Sequence, residues 1–366
     1  MFSTILILLV ILLLAYLLLW PVPIDPQGWN PPKALPYEGK YALRNSLGGA
    51  EKLWKAKMIG PEATAIKDGM LYTGLHNGDV VRAPIGGTDD GSGEPEVIVN
   101  TGGRPIGLKF DAQGNLIMCD MMKGLIQITP SGEMSVLSDS VNGRKYNVAD
   151  DLAIAADGKI YFSDISNKYD ITQANLAMME DNPLGELICY DPATGSSSVV
   201  LDDMHLANGV CLSPDEDYVL VNETVGFRVS RLWLKGPKAG QRDMFLENLP
   251  GAPDNITYNG NGTYWIALAF PRYPQVDALA SKPFRKKLMM RLPRFMATVP
   301  EFFLGLELPS YGLFVGTDLD GNITHFMDSH TGEVGLITSV LEHEGQLYLG
   351  SLVSDYVARV PVPDPV

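Results

Sequence analysis

One phrase recurs along this chain and constrains it more than any other feature. Over residues 146–164 it reads YNVADDLAIAADGKIYFSD. Its parts are polar residues (Asp150, Asp151), a short alternating strand (Leu152, Ile154), a tight Asp157-Gly158 turn and a second strand (Ile160, Phe162). Variants follow Glu62, Pro105, Asn208, Asp254-Asn255 and Thr338. Alternating apolar and polar positions around a two-residue turn predict a hairpin. Self-similarity at a period of roughly 45 residues, each unit a few short strands, is the mark of a β-propeller, and about six units fit. The expected fold is all-β: a six-bladed β-propeller.

In such a fold the innermost strand of each blade starts at one face of the central channel. The residue just before it therefore sits on a ring shared by all blades. Here the ring reads Glu62, Pro105, Asp150/Asp151, Asn208, Asp254 and Thr338. It is rich in hard oxygen donors and holds no Cys or His, which disfavours zinc. Function is expected there.

Both flanks of the repeat carry information. Residues 2–20, FSTILILLVILLLAYLLLW, have no charge. A bilayer needs about 20 such residues in a helix, and Trp20 lies at interface depth. A cleaved signal peptide would want a basic start and a small-x-small site; neither is present. Residues 1–20 are expected to form an uncleaved single-pass anchor, with the propeller on the extracytoplasmic side. Residues 21–40 are proline-rich and read as an extended stalk. The remainder, 41–366, is the propeller, with a strand from 41–58 closing the ring on the last blade and so removing sheet edges.

Two stretches break the rhythm. Residues 167–183 are an insertion in the third blade. Residues 271–309 set Arg272, Lys282, Arg285, Lys286, Lys287, Arg291 and Arg294 among Phe284, Leu288, Met289, Met290, Leu292, Phe295 and Met296. A helical cap over one face is expected, and its mixture of cations and large apolar side chains suits contact with lipid. The chain as a whole carries a net charge of −15, which argues against a nucleic-acid partner. Its three cysteines, Cys119, Cys189 and Cys211, show no metal or redox spacing and are expected to be buried free thiols.

In GRPIGLKF (103–110), in the run 208–256 that opens NGVCLSPDEDYVLV, and in EHEGQLYLGSL (342–352), the chain resembles the strictosidine synthase-like family. The wider superfamily includes gluconolactonases, regucalcin and paraoxonases, and the anchor before the propeller resembles the family's membrane-associated members. The resemblance implies a six-bladed propeller with one divalent metal, usually calcium, in the central channel. It places the metal ligands at Glu62, Asn208 and Asp254, with Asp150 at a further polar position where relatives often have Asn. The chain departs from the pattern at Cys119-Asp120-Met121-Met122, where relatives often read ADAY, and at Gly185-Glu186, where they often have Gly-Arg. The condensing enzymes of the family use a glutamate that falls on Glu342.

Calcium takes six to eight oxygens from carboxylates, amide carbonyls and water. Held by few protein ligands, it keeps open positions that polarise a carbonyl and lower the pKa of bound water. A free oxygen of Asp254 or Asp150 would then take a proton; His343, in the last inner strand, is an alternative base. The expectation is a membrane-anchored, calcium-dependent hydrolase of lactones or aryl esters. It would act on a small hydrophobic substrate and engage the membrane through its N-terminal helix and residues 271–309. A metal-stabilised scaffold without catalysis is the alternative, and a condensing enzyme using Glu342 is a third. Asp164 and Glu223, at the ends of second strands, either support ligands or cap turns.

Overall fold

The computed structural model describes residues 2–85, 91–292 and 311–365. Six four-stranded antiparallel sheets stand around a central channel. The inner strands, in blade order, are Thr64–Lys67, Pro105–Phe110, Ala149–Ile154, Ala207–Leu212, Gly251–Tyr258 and Ser339–His343. Blades one to five each use four consecutive strands. Blade six takes three from the C-terminal end of the chain and its outermost, Glu51–Leu53, from the N-terminal side, with Glu51 opposite Arg359 and Leu53 opposite Val357. The closing strand thus falls inside 41–58.

Alternation along the strands places apolar side chains between neighbouring blades. Leu220, Val229 and Phe245 of blade four pack against Tyr264, Ile266, Leu313 and Val315 of blade five. Leu53, Trp54 and Met58 from the closing segment join Leu71 and Val81 of blade one to Tyr348 and Val357 of blade six. Burial of this kind, at about 25 cal/mol per Å² of apolar surface, holds the ring shut. All three cysteines are buried and free.

Strand direction fixes which loops share a face. The inner strand and its neighbour are antiparallel in every blade. The starts of the inner strands therefore lie on the same face as the connections between second and third strands. Two of those connections are enlarged. In blade three the connection carries helix α2 (Ala174–Glu180); in blade five it carries α3 (Pro274–Ala280) and α4 (Pro283–Met290). Proline in the first turn of α3 and α4 costs no hydrogen bond and presets the backbone. Arg294, Phe295 and Met296 of the expected cap lie outside the described residues.

Helix α1 (Phe2–Leu19) buries no residue and has a mean hydropathy of 3.0; it is the one helix among the described residues long and apolar enough to cross a membrane. The proline-rich segment after it differs from the free stalk expected. It lies as a strap across the face where the inner strands begin. Ile24 is buried. Asp25 N–H donates to Glu180 (2.7 Å), Gln27 N–H to Asn182 (2.7 Å) and the Trp29 indole to Asp181 (2.8 Å). Further along, Arg272 donates to the Pro32 carbonyl (2.7 Å), Asn248 to that of Lys33 (3.0 Å), and Tyr37 to that of Pro250 (2.8 Å). The physical reason is local. Extended proline-rich chain has no internal hydrogen bonds, so its backbone groups are free to pair with the loops beneath.

Candidate metal and active site at the channel mouth

Three inner strands break register where the polar phrase begins. The ladder skips between Ala149 and Leu152, between Ala207 and Val210, and between Pro253 and Ile256. The residues in the skips are Asp150-Asp151, Asn208-Gly209 and Asp254-Asn255. A bulge leaves residues unpaired and re-aims their side chains; here it frees a polar side chain at the mouth of the channel. Blade two repeats the skip around Ile106-Gly107. A Cβ on Gly107 would stand 2.4 Å from the Asp150 carbonyl, and one on Gly209 2.4 Å from that of Asp254. Glycine at these positions lets adjacent bulges meet backbone to backbone, which draws the ring tight.

The side chains so placed interlock. Asn255 donates to Glu62 Oε1 (2.7 Å) and Asn222 donates to the Asp254 carbonyl (2.5 Å); the Asn208 amide favours the charged form of Asp254. Thr338 and Ser339 hydroxyls both donate to the Glu62 carbonyl (2.9 and 2.8 Å), so Thr338 braces the ring. Asp151 Oδ2 accepts from Val210 N–H (3.0 Å), tying blade three to blade four. Glu62, Asp150, Asp151, Asn208, Asn222, Asp254 and Asn255 are all buried, none more than 7% exposed.

Four carboxyl groups in so small and dry a space repel. Burial, then Asp254 and Asp151, pushes Glu62 well above the usual carboxyl range, against the pull of Arg104. Burial, then Glu62, Asp254 and Asp151, does the same to Asp150. Asp254 is pushed up to about 8 by burial and by Asp151, although Asn208 and the Asn255 N–H oppose the shift. Arg104 is the buried cation acting on the cluster; its guanidinium donates to the Gly60 carbonyl (2.7 Å).

Five buried oxygens here have no hydrogen-bond donor: Glu62 Oε2, Asp150 Oδ1, Asn208 Oδ1, Asn222 Oδ1 and Asn255 Oδ1. Orphaned buried acceptors are costly. Carboxylate and amide oxygens left without donors suit a hard cation such as calcium. The carboxylates do not form a cluster alone: among the described residues no three His, Cys, Asp or Glu are grouped as metal ligands. The fit depends on the amide oxygens, which such a grouping leaves out.

The structure does not bring Glu342 and His343 to this ring. They lie toward the far end of the last inner strand, roughly 10 and 13 Å along it from Ser339 at about 3.3 Å per residue. Glu342 Oε2 accepts from the Trp265 indole (2.7 Å) and from Asn259 (2.8 Å), a brace between blades five and six. His343 is partly exposed beside the hairpin turn, 3.9 Å from Glu344. Asp164 holds the loop before its blade through Val148 N–H (2.9 Å) and Arg144 (2.9 Å). Glu223 accepts from Arg228 (2.7 Å), Arg242 (2.6 Å) and His205 N–H (3.0 Å). Both cap and brace their blades. Asp120, in the departing CDMM phrase, accepts from Thr101 (2.8 Å) and Met122 N–H (2.9 Å).

Sequence reasoning missed two members. Arg104 directly precedes ring residue Pro105, and its place in the repeat was a usable signal. Nothing marked Asn222. It and Asn255, the neighbour of ring residue Asp254, are fully enclosed, and their amides do structural work in the ring.

Comparison with known proteins meets this geometry. The strictosidine synthase model matches residues 150–237 and the strictosidine synthase-like N-terminal model residues 39–83. The adipocyte plasma membrane-associated protein of Rattus norvegicus is 35% identical over 369 residues, covering 95% of each chain. The chain belongs to the strictosidine synthase-like family. Among solved structures, a gluconolactonase from Xanthomonas campestris matches with a TM-score of 0.59 at 17% identity, covering 93% of this chain and 97% of that one. A calcium-binding regucalcin from Agrobacterium tumefaciens matches with a TM-score of 0.55 at 12% identity, covering 86% and 94%. These two likenesses show the shared propeller fold.

Proposed function

We propose that the protein is a membrane-anchored, calcium-dependent hydrolase of lactones or aryl esters. The observation that carries this reading is the set of donorless oxygens at the channel mouth, on Glu62 just before the first inner strand and on Asp150 and Asn208 in the bulges. Glu62, Asn208 and Asp254 would hold the cation, with Asp150 beside them. When bound, calcium supplies a Lewis acid for the substrate carbonyl and lowers the pKa of a water. The chain's own groups do the rest. Asn222 and Asn255 orient the ring: the first fixes the Asp254 backbone, the second the Glu62 carboxylate. Asp150, with an oxygen not committed to any donor, accepts the proton as water attacks the carbonyl carbon. It returns that proton to the departing alkoxide or phenolate as the C–O bond breaks. Burial, which raises its pKa, favours that proton shuttle. The strap and the α3–α4 cap limit water at the mouth.

The deciding measurement is turnover of purified full-length protein against lactones, aryl esters and phosphotriesters, with and without EDTA. Lactone or ester hydrolysis that EDTA removes and calcium restores is expected. Turnover indifferent to chelation overturns the metal role. A second reading, a scaffold that keeps calcium for stability, is favoured by one observation: every ring side chain is enclosed, as in a closed structural site. It predicts no turnover on the panel, together with a calcium-dependent rise in Tm.

Anchoring through α1, with the propeller extracytoplasmic, belongs to the same proposal. The similarity to proteins named as plasma membrane-associated supports it, as does the apolar helix, which buries no residue. Sequons at Asn261 and Asn322 are exposed. Glycans on these two in a glycosylating host are expected; their absence, with the propeller digested by external protease in closed microsomal vesicles, places it on the other side.

A further inference from the structure

Exposed apolar side chains are not spread evenly over the propeller. Among the described residues beyond Trp20, ten large apolar side chains are exposed, and seven of them belong to connections on the channel-mouth face. Ile59 precedes the first inner strand. Met122, 70% exposed, is in the second–third connection of blade two, and Val353, 69% exposed, in that of blade six. Ile171 and Met178 come from the insertion of blade three, Val276 and Phe284 from that of blade five. Of the remaining three, Leu319 lies on the opposite face and Val97 and Val136 on outermost strands. Scattered single apolar residues need no explanation, but a rim drawn from five loop sites on one face does.

The membrane-spanning candidate leaves from that same face, and it is fastened there. Arg291, at the end of α4, is buried and donates to the carbonyls of Trp20 (2.6 Å) and Leu17 (3.3 Å). Those are among the last carbonyls of the N-terminal helix, which have no partner within it, and a cation there is also favoured by the helix dipole. Lys287 pairs with Asp25 (2.6 Å), and Lys286 is buried against Asp181 (3.3 Å). The cap, the strap and the end of α1 form one bonded unit. No free tether separates the propeller from the helix end.

We propose that the channel-mouth face is docked on the bilayer, its apolar rim inserted at the headgroup boundary, so that the candidate site opens toward lipid. This rests on the anchoring reading above. The occupant of the rim is a lipid surface, because the membrane-spanning candidate α1 ends at this face and Phe284 stands two turns of cap from the arginine that holds the helix end. The substrate class follows from the geometry. It is an amphiphile dissolved in the membrane, with its ester or lactone carbonyl at headgroup depth, reaching the mouth without passing through water. Exposed Lys282 and Arg285 on the cap meet phosphate groups at that depth.

The test uses the full chain reconstituted in phosphatidylcholine vesicles that carry doxyl-labelled acyl chains. Single cysteines bearing an environment-sensitive fluorophore replace Met122, Phe284, Val353 or, as the opposite-face control, Leu319. The native thiols are buried. Quenching at the three rim positions should exceed that at Leu319 by at least about twofold, as expected for side chains at the acyl boundary. A second variant, Met122→Asp with Phe284→Asp and Val353→Asp, should still float with vesicles through α1 but lose quenching at Ile59→Cys. Flotation with equal quenching at Met122 and Leu319 overturns the docking and leaves anchoring intact. Failure of the wild-type chain to float overturns both.

Discussion

Two groups of buried acids in this propeller obey opposite rules. Glu223 and Glu180 are each enclosed and each fully supplied with donors. Glu223 takes two arginines, a hydroxyl and a backbone N–H; Glu180 takes Lys168, the Tyr169 hydroxyl (2.6 Å), Asn182 and Asp25 N–H. Burial raises both carboxyls, yet Arg228 and Lys168 with their neighbours outweigh it and leave both below the ordinary value. The ring acids Glu62, Asp150 and Asp254 are equally enclosed, but they repel one another, Glu62 and Asp150 each keep an oxygen that nothing satisfies, and all three are raised. The difference separates acids that hold the molecule together from acids that are kept for something else. A buried charge is tolerated when paired; unpaired ones persist where a ligand completes them.

The largest test of that separation is Asp254→Asn. If the ring is the reaction centre, turnover on any substrate found should fall by roughly 10²-fold or more, because the cation that would polarise the carbonyl loses one of its holders. The same variant should lose the stabilisation by calcium, about 2.7 kcal/mol at a hundred times Kd, read as a Tm shift. In EDTA it should be as stable as wild type or more so, because a repelled carboxyl has been removed. Glu223→Ala should do the reverse: it strands two arginines and should cost about 3–5 kcal/mol in denaturant unfolding, with the calcium-induced shift intact. Equal behaviour of the two variants would erase the distinction.

How much of this could be read beforehand follows the same line. The repeat disclosed the blades, the closing strand and the ring positions Glu62, Asp150, Asn208 and Asp254, because bulge and turn chemistry is local. The partners did not show. Nothing near Asn222 in the chain says that its amide lies against the Asp254 carbonyl, one blade away. Glu342 was a candidate through the family resemblance and His343 through its inner strand, but position along the strand decides the face, and both lie at the end away from the ring. The strap is the clearest miss. Proline density predicts extension correctly and says nothing of what an extended segment will touch.

Gly209 offers a finer cut. Its missing Cβ leaves room for the Asp254 carbonyl at 2.4 Å, so Gly209→Ala must push blade five's bulge outward. Overpacking of this kind costs typically 1–3 kcal/mol, and here the loss should fall on calcium affinity as well as on stability. A variant that unfolds earlier yet binds calcium as before would show that the bulges need not touch.

The two groups should also give opposite limbs to a stability–pH curve. Asp254 titrates at about 8 in the folded chain and near 3.9 unfolded. Between those values the native state binds more protons, so stability in EDTA should fall as pH rises, by about 1.4 kcal/mol per unit for each such proton. Glu223 and Glu180 contribute stability that is present above about 4.3, the unfolded value, and lost as pH falls through their lowered folded values. Thermal melts in EDTA should therefore peak near the carboxyl range and decline on both sides. Calcium should flatten the upper limb alone. A flat upper limb in EDTA would mean the ring acids are already compensated.

The smallest expected effect concerns Glu342, and it decides between reaction classes. Its carboxylate accepts from the buried Trp265 indole and from Asn259, on the face opposite the ring. Glu342→Gln keeps one acceptor oxygen and the side chain's shape, so it should cost at most about 1 kcal/mol, the net worth of a hydrogen bond. Glu342→Ala leaves the indole N–H buried without an acceptor and should cost about 1–3 kcal/mol. Neither should alter kcat/KM of the folded protein for a lactone or ester, since both lie a strand's length from the ring. A Glu342→Gln variant with full stability and collapsed turnover would place the chemistry at the other end of the channel. It would revive the condensing reading and turn the ring of orphaned oxygens back into a structural site.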